Sequence, residues 1–88
     1  MKNVLLSICN ERGLHARTAA KFVRLVNQFS ADVTVSKDGQ KVTGHSILGL
    51  MTLAAAVGDT IEVSASGIDE AAALEAITGL IANKFGEN

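Results

Sequence analysis

Histidine is the side chain that titrates near neutrality and also attacks as a nitrogen nucleophile. The chain holds two, His15 and His45. His15 follows Gly13-Leu14 and opens a stretch whose apolar residues recur with helical period. That is an N-cap position, where Ser, Thr, Asp or Asn is the usual choice and a histidine is expected to cap poorly. The first-turn N–H groups of Ala16, Arg17 and Thr18 have no partner within a helix, and the positive end of the helix dipole faces the imidazole. Such a site attracts anions and favours a neutral, nucleophilic ring. Arg17, in the same turn, supplies a fork for phosphate oxygens, and Gly13 lets the backbone bend close. Nucleophile, cation and the first of these N–H donors therefore fall within residues 13–17, the set a phosphoryl acceptor needs. Arg17 by itself would read as a solvated charge. His45 reads as a solvated loop residue, and the neighbouring Ser46 as the N-cap of a second helix.

These residues need elements to hold them, and the hydrophobic period supplies a prediction for each. Val4, Leu6 and Ile8 alternate with Leu5, Ser7 and Cys9, a strand pattern. From Ala16 the pattern turns helical, with Ala19, Phe22, Val23 and Val26 on one face and Arg17, Lys21, Arg24 and Gln28 on the other. Val33 and Val35 alternate within 32–37, Asp38-Gly39 is a two-residue hairpin signal, and 40–43 returns as a strand. Ser46 opens a helix over 47–54, Gly58-Asp59 turns, and 60–66 is a strand with Ile61 and Val63 inward. Asp69-Glu70 opens a last helix whose buried stripe is Leu74, Ile77, Ile81 and Phe85, with Gly86 as its stop. The order is β-α-β-β-α-β-α. Strands with one apolar face each imply an α+β two-layer open-faced β-sandwich, a four-stranded antiparallel sheet with three helices on one side.

Composition narrows the function classes. Eight Lys+Arg against nine Asp+Glu give a net charge of −1, and three Phe with no Tyr or Trp leave little to stack on bases. A nucleic-acid binder wants a basic face and aromatic platforms, so that class is excluded. Cys9 is the only cysteine, which allows no intrachain disulfide and suggests a reducing compartment. The apolar run 4–9 is too short for a secretory signal core, so the N-terminus is expected to belong to the mature domain. The uncharged stretch 42–58 includes Gly44, His45, Ser46 and Thr52 and falls short of a membrane span. One domain over 1–88, cytoplasmic and monomeric, with no metal and no cofactor, is the expectation.

Gly13-Leu14-His15-Ala16-Arg17, followed by Ala19-Ala20 and Phe22-Val23, resembles the active-site signature of the HPr family of histidine phosphocarriers. Ser46-Ile47-Leu48-Gly49-Leu50-Met51-Thr52-Leu53 resembles that family's second signature, around its regulatory serine. Ser64-Ala65-Ser66-Gly67 with Asp69-Glu70 resembles its last strand and helix start, so the likeness spans the chain. The resemblance implies that enzyme I of the bacterial phosphoenolpyruvate-dependent phosphotransferase system phosphorylates His15 on Nδ1, assisted by Arg17 and the first-turn N–H groups of Ala16, Arg17 and Thr18. The group would then pass to an enzyme IIA domain, the chain acting as a carrier turned over by these enzymes. It also implies that a kinase/phosphorylase of the family acts on Ser46. Two departures stand out: Thr18 replaces a proline that usually follows the motif arginine, and Asn27 stands where many sugar-type members have a basic residue.

Within the resemblance, a sugar-transport branch and a nitrogen-linked regulatory branch both fit, while a catabolite-repression homologue that lacks the histidine does not. A metabolite-binding regulatory domain of similar topology is the reading from another class; it would leave His15 idle. The helix opened by Ser46 bears on the choice, because between Ile47 and Ala54 only Gly49 and Thr52 are not apolar. One side of a sheet cannot bury all of them. Leu50, Leu53 and Ala54 are expected inward. Ile47, Leu48 and Met51, with Ala16 and Ala20, are expected to form an exposed docking patch ringed by Arg17, Lys21 and Arg24.

Overall fold

The computed structural model describes residues 1–87. Strands β1 (Lys2–Ser7), β2 (Asp32–Lys37), β3 (Gln40–Thr43) and β4 (Thr60–Ser66) alternate with helices α1 (Ala16–Val26), α2 (Ile47–Thr52) and α3 (Glu70–Ala82), and a short 3-10 turn covers Lys84–Gly86. The sheet runs in the order β1-β4-β2-β3, every pair antiparallel. This is the predicted α+β open-faced sandwich.

Register follows from the two-residue period of the strands. Val4 lies opposite Val63 and Leu6 opposite Ile61, while Val35 lies opposite both Val63 and Val42. All of these point to the face that the helices cover, so a slip of one residue would turn each of them to solvent. Asp38 (φ 50°) and Gly39 (φ 84°) both adopt the left-handed backbone that a tight hairpin between twisted strands requires. The core between sheet and helices gathers Ile8, Phe22, Val26, Val33, Val35, Leu50, Ile61, Val63, Ile77, Ile81 and Phe85. The outer sheet face carries Leu5, Glu62, Lys41 and other residues exposed to solvent.

Three local expectations need correction. Helix α2 is shorter than predicted: Leu53 caps it, its N–H donating to Leu50 and Met51 carbonyls, and Ala54 turns to φ 52°. Ala54 is consequently exposed and not part of the inward stripe, which Leu50 and Leu53 supply alone. Helix α3 ends at Ala82, before the predicted stop. Phe85 is buried as predicted, but from a left-handed backbone (φ 55°) outside the helix, preceded by Lys84 at φ 56°. Chain reversal here, rather than helix continuation, is what carries Glu87 back across the start of α1. Val23 is half-buried at the edge of the core.

Candidate functional site

The site forms where the β1–α1 loop meets α1. Gly13 adopts φ 66°, and a side chain there would collide with the Ala55 carbonyl oxygen. Its role is therefore close packing of two loops, a contact also tied by the Leu14 N–H donating to Ala55 O at 2.9 Å. His15 follows as N-cap in extended conformation (φ −122°, ψ −174°), and it does cap: Nδ1 accepts the Arg17 N–H at 3.3 Å. Thr18 completes a reciprocal capping box, its hydroxyl accepting the His15 N–H at 2.9 Å while the backbone of Thr18 serves the His15 side chain. The same hydroxyl donates to Gly13 O at 2.9 Å and is fully buried. Thr18 thus tightens the first turn and brings its own N–H to the ring; a proline would bring neither hydroxyl nor N–H.

Acceptance of a backbone N–H at Nδ1 leaves the ring proton on Nε2. Nε2–H donates to Glu87 Oε2 at 3.0 Å. The His15 side chain is 22% exposed and that of Glu87 12%, so His15 is a half-buried residue with a partner. Oε1 of Glu87 accepts from Asn10 Nδ2 at 3.0 Å, and the same amide donates to Gly13 O at 2.9 Å. Desolvation pushes the Glu87 carboxyl up, but the hydrogen bonds from Asn10 and His15 and the charges of His15 and Arg12 outweigh it, and the net direction is down. Asn10 and Glu87 carry no motif spacing that could have announced them, since the His15–Glu87 contact joins residues 72 apart.

Arg17 is exposed and makes no ion pair among the described residues, so its guanidinium is free to meet an anion beside Nδ1. Ala16 is exposed and Ala20 half-buried on the next turn. Ile47 (40%), Leu48 (75%) and Met51 (38%) are exposed on α2, which packs against α1. Arg24 is exposed at the far end of α1, whereas Lys21 is half-buried with Nζ donating to Phe85 O at 2.7 Å, tied down and less available to a partner than its sequence position suggests. Ser46 caps α2, its Oγ accepting the Gly49 N–H at 3.0 Å.

His45 is exposed but not merely solvated: Nε2 accepts the Val33 N–H at 3.3 Å and Nδ1–H donates to Asn27 Oδ1 at 2.8 Å. Asn27 accordingly has a local task, joining the end of α1 to the segment before Ser46. Among the described residues no group of three or more His, Cys, Asp or Glu is placed to hold a metal ion. No helix among them is long and apolar enough to cross a membrane.

The fold is an α+β open-faced sandwich in which the half-buried His15 caps the first helix beside Arg17, which makes no ion pair among the described residues. The family model described as PTS HPr component phosphorylation site matches residues 4–83. Phosphocarrier protein HPr of Neisseria meningitidis serogroup A is 49% identical over 93% of this chain and 92% of its own. Phosphocarrier protein NPr of Shewanella violacea is 42% identical over 93% and 90%. Among solved structures, HPr from Thermoanaerobacter tengcongensis superposes with a TM-score of 0.95 at 45% identity, covering 100% of this chain and 99% of that one. An HPr dimer from the same organism matches with a TM-score of 0.79 at 46% identity over 99% and 100%. The chain belongs to the HPr family of phosphocarrier proteins of the phosphotransferase system.

Proposed function

We propose that His15 Nδ1 accepts a phosphoryl group from enzyme I and yields it to an enzyme IIA domain, the protein acting as a monomeric cytoplasmic carrier for sugar uptake, for regulation, or for both. The observation that carries this reading is the position of Nδ1, which faces the N–H groups of the first turn of α1 with the unpaired Arg17 beside it. A phosphoryl group on Nδ1 would take over those N–H donors, and Arg17 would neutralise part of its charge. The present Arg17 N–H bond, at 3.3 Å, is long and easily exchanged for a charge-assisted one. Ile47, Leu48 and Met51, with Ala16 and Ala20 and the nearby Arg17, Lys21 and Arg24, form the docking face for both partners. Ser46, at its edge, is the position for a kinase/phosphorylase to act on.

A nitrogen-linked relay without sugar transport is the second reading; an NPr at 42% identity keeps it open beside HPr relatives at 49% and 44%. Incubation with radiolabelled phosphoenolpyruvate and enzyme I tests the carrier: label that is acid-labile, stoichiometric and lost in His15→Ala is expected. Absence of label from the unaltered protein would refute the carrier and return the metabolite-binding reading. Chase of the label onto a sugar-transport or a nitrogen-branch enzyme IIA separates the two branches.

A further inference from the structure

We propose that Glu87 is a positioning residue for His15: its carboxylate holds the proton on Nε2, keeps the Nδ1 lone pair toward the helix terminus, and balances the positive charge the ring gains on accepting a phosphoryl group. The inference rests on the carrier reading for its kinetic part and on geometry alone for the rest. Glu87 Oε2 lies 3.0 Å from His15 Nε2, and its other oxygen is held at 3.0 Å by Asn10 Nδ2. Asn10 is wholly buried and faces two acceptors, Gly13 O and Glu87 Oε1, so its amide must turn its donors to them. That orientation leaves Asn10 Oδ1 buried with no partner among the described residues. An orphaned buried acceptor is destabilising, and the fold tolerates it while keeping Glu87 anchored.

The chain reaches this position by an unfavourable route. Lys84 and Phe85 both stand in the left-handed region, at φ 56° and 55°, before Gly86 at 76°. Two non-glycine residues in that region are held only where the surroundings over-determine them. Here the Phe85 ring is buried in the core and its carbonyl is clamped by Lys21 Nζ at 2.7 Å. Core packing, a lysine clamp and an asparagine thus converge to bring one carboxylate to one ring nitrogen.

Without a partner, the neutral imidazole distributes its proton between Nδ1 and Nε2, and only the form with Nδ1 free attacks phosphorus. In the transfer, the Nδ1 lone pair forms the new P–N bond while the bond from phosphorus to enzyme I breaks and leaves its electron pair on enzyme I. The proton stays on Nε2, so the ring becomes cationic. Glu87 meets that charge from the edge of the ring opposite the phosphoryl group, where it repels the phosphoryl oxygens least. This is the service that a carboxylate gives a nucleophile-activating histidine elsewhere, fixing tautomer and charge without taking the proton.

Two readouts test the idea. NMR of the imidazole nitrogens in the unphosphorylated protein, at a pH where the ring is neutral, reports the tautomer; initial phosphorylation rates with enzyme I report the consequence. The native protein should show the Nε2–H form almost alone. Glu87→Gln has one amide oxygen to serve both Asn10 and His15, so the nitrogen signals should move toward a mixture. The rate should fall roughly tenfold, the equivalent of one charge-assisted hydrogen bond. Glu87→Ala should do the same with a larger loss. Unchanged nitrogen shifts and rates in both variants, even with a lowered melting temperature, would reduce Glu87 to a tail anchor and overturn the proposal. A native protein that shows the Nε2–H tautomer but takes no label would refute the carrier and leave the positioning intact.

Discussion

The backbone N–H of His15 donates to the hydroxyl of Thr18 at 2.9 Å, and that hydroxyl donates onward to the carbonyl of Gly13 at 2.9 Å. One buried side chain thereby ties the loop, the nucleophile and the first helical turn together. Thr18→Ala would leave the His15 N–H without this partner and should destabilise the protein by about 1–3 kcal/mol, measured by denaturant unfolding. Thr18→Ser, which keeps the hydroxyl, should cost less. Equal stability of native and Thr18→Ala proteins would show that the capping box contributes nothing.

His15→Ala should abolish phosphorylation by enzyme I and also lower stability by about 1 kcal/mol, because it removes a working N-cap. Arg17 makes no structural contact of that kind, so Arg17→Ala should leave the melting temperature in place and slow transfer by on the order of tenfold. A comparison of both variants by thermal melting and by initial rate checks the contrast. Arg17→Ala protein that transferred at the native rate would remove Arg17 from the site.

Met51 is 38% exposed on α2, whereas Leu50 beside it is wholly buried. Met51→Glu should therefore weaken association with both enzyme I and enzyme IIA, by roughly tenfold or more, as expected for a charge set into an apolar contact. Its cost in stability should stay within about 0.5 kcal/mol. Titration calorimetry against each partner gives the affinities. Large destabilisation with unchanged affinity would assign Met51 to the core instead.

Phosphorylation of Ser46 should act on the interface and not on the fold. Its Oγ already accepts the Gly49 N–H at 3.0 Å, and a phosphate at a helix N-terminus is favourable by roughly 0.3–1 kcal/mol. The modified protein should melt no lower than the unmodified one, yet accept phosphate from enzyme I more slowly, since a dianion beside Ile47 and Leu48 opposes docking. Equal transfer rates with a lower melting temperature would leave Ser46 a cap and nothing more.

Two carboxyls make stability depend on acid. Asp59 lies below its ordinary value of 3.8, chiefly through the Ala56 N–H that it accepts; burial opposes this and Lys37 reinforces it. Glu87 lies below its ordinary 4.5, its bonds to Asn10 and His15 and the nearby charges outweighing desolvation. A carboxyl lowered in the folded state contributes its full stabilisation above its unfolded value and loses it as pH falls through its folded value. Stability should thus be insensitive to these groups near neutrality and decline below about pH 4.5. The double variant Asp59→Asn, Glu87→Gln should show a shallower decline in that window; an unchanged acid limb would discount both groups.

The elements of the fold were legible because each is encoded by neighbours. Alternating valines in β2 and β4, the Asp38-Gly39 turn and the amphipathic face of α1 all act over a few residues, where side-chain period and backbone preference suffice. His15, Arg17 and Ser46 were legible for the same reason, lying on the first turns of their helices. The ends of α2 and α3 were not. Ala54 and Lys84 favour helix locally and Phe85 continues the apolar stripe of α3, so the left-handed backbone at each is set by tertiary packing and not by local preference.

By itself, then, the sequence determined the order of strands and helices, the inward faces and the placement of an imidazole at a helix terminus, since all depend on spacings of two to four residues. Tertiary structure alone decided what surrounds that imidazole. Glu87 meets His15 across 72 residues, Asn10 meets Glu87 across 77, and Lys21 meets Phe85 across 64. No local preference encodes such contacts, because they exist only once the core has closed around Phe22 and Phe85 and brought the segment after α3 against the start of α1.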